Sequence, residues 1–153
     1  MRVAVVNPMF GKDFTKSARW FARSRGRVQR HPDYLATAAG VIEAEGHELL
    51  FMDTQAMNMP TPEFIEKHLK AFKPDMTVYQ ATTPSIYADI ESARMCKEAV
   101  GGLHVMVGPH VSAEPESTLR AANGALDAVA RHEFDYILRD LAGGTSVQDC
   151  KGV

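Results

Sequence analysis

The chain has 153 residues, 45% hydrophobic and 24% charged, enough for one globular domain with a buried core and too few for a second full one. Its formal net charge of -2 gives no overall attraction to phosphate backbones, so a nucleic-acid partner is not expected. The two cysteines, Cys96 and Cys150, have neither paired nor metal-ligand spacing, which argues against a disulfide framework and fits a reducing compartment, with each thiol a small buried hydrophobe or an inert surface group.

Strand-like runs alternate with stretches of helical period along the chain. Residues 3–7 (VAVVN) read as the first strand. A long connection, residues 9–32, follows without regular pattern and carries Arg19, Arg23, Arg25, Arg27 and Arg30 beside Trp20 and Phe21. Leu35, Ala38, Ala39 and Ile42 then share one helical face, and residues 48–53 (ELLFMD) form the second strand. Ile65, Leu69 and Phe72 mark the next helix, residues 76–81 the third strand, and Ile86, Ile90, Ala93 and Val100 the helix after it. Residues 103–108 and 125–130 read as the last two strands, with a short helix over 116–122 between them and a final helix carrying Phe134, Ile137, Leu138 and Leu141. Gly46, the pair Lys73-Pro74 and the pair Gly101-Gly102 stand where helices should stop. No apolar run is long enough to cross a bilayer, and MRVAVVNP is too short for a signal peptide, so a cytoplasmic protein with no membrane partner is expected.

Strands apolar on both faces, alternating with helices and without hairpin signals between them, belong to a parallel sheet covered on both sides. The expected fold class is α/β: a doubly wound, five-stranded parallel sheet in the flavodoxin-like (Rossmann-like) order 2-1-3-4-5. Chain reversal then opens a crevice beyond the carboxyl ends of strands 1 and 3. Asn7 and Pro8, the turn Thr82, Thr83, Pro84 and Ser85, and the loop of residues 108–115 would line it.

These loops lack the equipment of several common chemistries. NPMFGKDFTKS has one glycine, where a phosphate-binding loop needs several closely spaced. Asn7 and Thr82 stand where a phospho-acceptor domain would have carboxylates, and no His, Cys, Asp and Glu group has convincing metal-ligand or nucleophile spacing. No catalytic residue is assigned. Small polar groups in a crevice suit a bulky ligand that needs shape and several hydrogen bonds. The hydroxyls of Thr82, Thr83 and Ser85 admit two readings, ligand contact or simple capping of the following helix.

The order and spacing of these segments resemble the N-terminal cobalamin (vitamin B12)-binding domain of cobalamin-dependent radical S-adenosylmethionine (SAM) enzymes. The resemblance rests on the first strand ending in NP, on YLATAAGVIEAEGHELLFMD, on KPDMTVYQATTPSIYADIESARMCKEA, on VGPHVSAEPE where the family has a Gly-Gly-x-His loop, and on LDAVARHEFD where it has a valine-rich strand and Gly-Glu-x-Glu. Gly108-Pro109 and Arg131-His132 depart from that pattern, and neither the Asp-x-His-x-x-Gly motif that supplies a histidine to cobalt nor a CxxxCxxC cluster motif occurs. The resemblance implies that residues 1–142 bind cobalamin and that 143–153 begin a linker toward a radical SAM domain in a longer chain. That domain would hold the iron–sulfur cluster and SAM, for methyl transfer or related radical chemistry, and this chain alone would not turn over.

The same resemblance implies cofactor contacts at Asn7, Pro8, Thr82, Thr83, Pro84 and Ser85 for the nucleotide tail, at Gly108, Pro109, His110 and Val111 for the corrin, and at Glu133. His110 reads as a loop residue rather than a cobalt ligand, His104 as an edge or surface residue, and His31, His47, His68 and His132 as solvated. A rival reading, from a different class, is a flavodoxin-like interaction module without cofactor that uses the arginine-rich Trp20/Phe21 loop to hold a partner.

Overall fold

A computed structural model describes residues 1–153 apart from Arg25 and Arg27, so those two arginines of the long connection lie outside the described residues. Five strands, β1 (Arg2–Asn7), β4 (Glu48–Asp53), β5 (Met76–Gln80), β6 (Leu103–Val107) and β7 (Ala128–Ala130), form one parallel sheet in the order β4-β1-β5-β6-β7. Counted along the chain within this sheet, that is the 2-1-3-4-5 order expected from the sequence.

Helices cover both faces because strand residues alternate between them. On one face Val3, Val5, Val78, Val105 and Val107 pack against Leu35, Ala38 and Ile42 of α1 (Asp33–Ala44) and Leu138 and Leu141 of α7 (Asp135–Ala142). On the other, Ala4, Val6, Tyr79 and Met106 meet Ile86, Ile90 and Ala93 of α4 (Ile86–Val100). That face also receives a continuous helical stretch made of α2 (Thr61–Phe64), a π-helical turn (Ile65–Leu69) and α3 (Lys70–Phe72), which contributes Phe64, Ile65 and Leu69. Each such aliphatic or aromatic side chain withdrawn from water contributes about 1.5–3 kcal/mol.

The structure corrects the sequence reading in three places. The connection 9–32 contains an antiparallel hairpin, β2 (Phe14–Lys16) with β3 (Phe21–Arg23), where no hairpin was expected. Its signal is weak because the strands are three residues each and their apolar members pack on one another: Phe10, Phe14 and Phe21 meet ring to ring at 5.0–5.4 Å. Gln55 pins the hairpin to the sheet by donating to the carbonyls of Gly11 (3.0 Å) and Phe14 (2.9 Å). A short helix, α5 (Pro109–Ala113), stands in place of the expected loop after β6, and the short helix expected over 116–122 follows it as α6 (Pro115–Ala122). The last strand begins at Ala128 rather than at residue 125, because Asp127 turns aside to accept from the His104 backbone N–H (2.7 Å) and from Lys97 (2.5 Å).

Candidate functional site: the crevice at the carboxyl ends of β1 and β5

β1 pairs with β4 as far as Asn7 against Asp53, and β5 pairs with β6 as far as Gln80 against Val107, whereas the β1–β5 ladder stops at Val6 against Tyr79. The sheet therefore parts between Asn7 and Gln80, which is the switch point of the topology. Both residues are fully buried.

Lys16 occupies this parting. Its backbone carbonyl accepts from Asn7 Nδ2 (2.9 Å) on the α1 side. Its Nζ donates to the Pro8 carbonyl (3.0 Å) and pairs with Asp89 of α4 on the opposite side. Neither side chain of the ion pair has any exposure. Burial pushes the Lys16 ammonium below its ordinary value against the attraction of Asp89, and pushes the Asp89 carboxyl up against the attraction of Lys16. Burial likewise raises Asp53, although it accepts from the Ala56 N–H and from Asn7 Nδ2.

The hydroxyl-rich turn is drawn into the same network. Ser85 Oγ donates to Asp89 Oδ2 (2.6 Å), and Thr82 Oγ1 lies 2.7 Å from Ser85 Oγ. Thr82 is extended, Thr83–Ser85 form a 3-10 turn, and no side chain of this turn caps α4. The capping reading is thereby corrected: with Asp89 at i+4 on the buried face, Ser85 gains a charged acceptor in place of a backbone amide. Asp89 shares its helix face with Ile86, Ile90 and Ala93, and a carboxylate on an apolar stripe is the sequence signal that would have called for a buried cation. Nothing local in FTKS marks Lys16 as that cation.

Other expected contacts divide into two groups. Asn7, Pro8, Thr82, Ser85, Gly108 and Val111 are buried, whereas Thr83, Pro84, Pro109 and Glu133 are exposed and His110 is half-buried. Gly108 ends β6 at φ 119°, and a Cβ there would collide with the Ala81 carbonyl oxygen, so only glycine lets the β6 end approach β5 so closely. His110 Nδ1 lies 3.2 Å from Thr83 Oγ1. These two share the wall of a half-open cavity of about 360 Å³ with Ile86, Tyr87, Glu114 and Thr118. A second cavity, of about 500 Å³, opens on the long connection between Arg19, Trp20, Arg30, His31 and Tyr34. There the Arg19 and Arg30 guanidinium groups lie over the Tyr34 and Trp20 rings at 5.0 and 4.9 Å. Trp20 is 52% exposed, while Phe21 is tucked into the aromatic cluster.

His104 is corrected from an edge position to the core. β6 lies between β5 and β7, so its side chains are covered on both faces. The His104 ring donates from Nε2 to the Gly101 carbonyl (2.8 Å), accepts at Nδ1 from the Tyr79 hydroxyl (2.9 Å) and stacks on Tyr79 at 5.8 Å. Burial lowers its pKa from the ordinary 6.5. His31 and His132 are exposed, and His47 and His68 half-buried. Cys96 and Cys150 are both free and buried, and burial pushes the Cys96 thiol up to about 12. No helix among the described residues is long and apolar enough to cross a membrane.

No protein-family model matches the chain. Over 121 residues, 78% of its length, it is 31% identical to a protein of Pyrococcus horikoshii described as the uncharacterized methyltransferase PH0819, and it spans only about a quarter (26%) of that relative. In structure, 99% of the chain superimposes with a TM-score of 0.78 and 15% identity on 27% of TsrM from Kitasatospora setae, a radical S-adenosylmethionine methyltransferase solved with cobalamin and a [4Fe-4S] cluster bound. The resemblance read from the sequence therefore stands as a likeness: the chain shares the fold of part of a radical SAM methyltransferase solved with cobalamin and is related in sequence to part of a described methyltransferase.

Proposed function

We propose that this chain binds cobalamin at the carboxyl ends of its strands and presents it to a radical SAM domain of a longer protein. The observation that carries this reading is the superposition of nearly the whole chain on part of a radical SAM methyltransferase solved with cobalamin. Features of the crevice suit the group. The sheet parts between Asn7 and Gln80. Asn7 Oδ1 and both amide atoms of Gln80 are buried without a partner among the described residues. The β6 end tolerates no side chain at position 108, and Thr83 and His110 offer polar atoms at an open cavity beside it.

In this reading Asn7, Pro8, Thr82 and Ser85 surround the nucleotide tail. Gly108, Pro109, His110 and Val111 lie against the corrin, Thr83 and Pro84 border it, and Glu133 is an outer contact. The cofactor supplies a cobalt centre that can carry a methyl group. The chain's own residues bind, orient and exclude water, and no residue is assigned a catalytic proton transfer. His110, whose Nδ1 faces Thr83 Oγ1, would hold the corrin edge as a loop residue rather than serve as a metal ligand. The iron–sulfur cluster and SAM would belong to a second domain of that longer protein, with residues 143–153, which pack through Val147, Cys150 and Val153 against the α1 and α7 side, as the step toward it.

Hydroxocobalamin is coloured, so titration followed by gel filtration tests the reading directly: colour should travel with the protein. Protein that elutes colourless overturns it and favours the cofactor-free interaction module, for which the half-exposed Trp20 would be the contact. With cofactor bound, paramagnetic resonance of cobalt(II) should show no triplet splitting from an axial nitrogen. Triplets that vanish in His110→Ala would make His110 a ligand instead.

A further inference from the structure

The polar side chains at the parting of the sheet are not equally satisfied. Asn7 Nδ2 has two acceptors, Asp53 Oδ1 and the Lys16 carbonyl, but Asn7 Oδ1 has no donor among the described residues. Among the described residues Gln80 has no partner for its Nε2 or its Oε1, although the residue is fully buried. A buried primary amide left unpaired is destabilising, because it gives up its hydrogen bonds to water without replacing them, and an apolar side chain of similar size would avoid that cost. Strand alternation sets Gln80 on the same face as Met76 and Val78, and Asn7 on the same face as Val3 and Val5. The two amides thus share the α1 and α7 side of the sheet, on either side of the gap, with Lys16 lying across it. Position 80 is the only one in β5 where that face changes from apolar to amide.

We propose that Gln80, together with Asn7, is a ligand-reading residue. Its amide donates to and accepts from the nucleotide tail of the cofactor, which enters at the parting of the sheet. This inference rests on the cobalamin reading and deepens it, because it adds to the crevice a specificity residue that the hydroxyl-rich turn does not include. The tail carries ring nitrogen, ribose hydroxyl and phosphate oxygen atoms, and a primary amide can satisfy both donors and acceptors among them. In the ligand-free chain the same amide is a destabilising feature, which separates a ligand-reading role from a purely structural one.

The test uses the 153-residue chain and two probes, hydroxocobalamin and cobinamide, the corrin without the nucleotide tail. Gln80→Leu, and Gln80→Met as the variant closest in shape, should melt at or above the wild-type temperature without ligand. Both should bind hydroxocobalamin at least tenfold more weakly, and their affinity for cobinamide should stay within twofold of wild type. Wild type that binds hydroxocobalamin with both variants equal to it overturns the role of Gln80 alone and leaves an internal water as the partner of that amide. Equal weakening toward both probes overturns the assignment to the tail. Variants that melt well below wild type show that Gln80 is structural and also overturn it. Wild type that binds neither probe overturns this inference together with the cobalamin reading.

Discussion

Two buried polar clusters of this sheet differ in how completely they are satisfied. Between β5 and β6, the Tyr79 hydroxyl and both nitrogens of His104 have partners, and Asp127 takes up the adjacent backbone N–H. At the parting of β1 and β5, Lys16, Asp89, Ser85 and Thr82 are linked, yet Asn7 Oδ1 and the whole Gln80 amide have no partner among the described residues. The first cluster holds two strands together and is closed. The second lies where the topology interrupts the ladder, and it keeps polar capacity that folding alone does not use.

The largest expected effect comes from breaking the ion pair in the second cluster. Lys16→Met leaves the Asp89 carboxylate buried without its cation and should cost about 3–5 kcal/mol in chemical denaturation. The double variant Lys16→Met/Asp89→Leu should regain most of that loss, since an apolar pair of similar volume avoids both desolvation penalties. If the single and double variants are equally unstable, Lys16 stabilises by packing rather than by charge.

Ser85→Ala removes one hydrogen bond to the same carboxylate and should cost about 1.5–3 kcal/mol. The loss should largely disappear in the Lys16→Met/Asp89→Leu background, which a double-mutant cycle measures.

In the closed cluster, His104→Phe leaves the Tyr79 hydroxyl without its acceptor and should cost about 1–3 kcal/mol at pH 7.5. Burial holds the folded pKa of His104 below the ordinary 6.5, so the unfolded chain binds more protons between those two values. The stability due to neutral His104 is therefore complete above pH 6.5 and is lost as pH falls through the folded pKa. The difference between wild type and His104→Phe should shrink over that window. A constant difference would show that His104 is not buried as the neutral form.

The smallest effect concerns the loop after β7, where His132 is held at φ 59° and its N–H donates to Ser112 Oγ (2.8 Å). The resembled family has glycine here, and His132→Gly should relieve backbone strain and raise stability by at most about 1 kcal/mol. A lowered melting temperature would show that the histidine side chain contributes more than its backbone costs.

The alternation of apolar runs with helical periods determined the fold class, the strand order and the place of the crevice, because both strand faces had to be covered and the connections leave little choice of topology. It also brought Asn7, Pro8, the Thr82–Ser85 turn and the Gly108 loop to one end of the sheet, since each directly follows a parallel strand. Only the tertiary structure decided what those residues touch. Lys16 lies 73 positions from Asp89, and no local pattern encodes a pairing of that range. The β2–β3 hairpin is too short to carry a period of its own, so its place over the crevice is set by the Phe10, Phe14 and Phe21 rings and by Gln55. Gln80 was hidden in an apolar strand for the same reason: a single amide does not disturb the pattern of β5, and its lack of a partner among the described residues exists only once the neighbouring elements have closed around it.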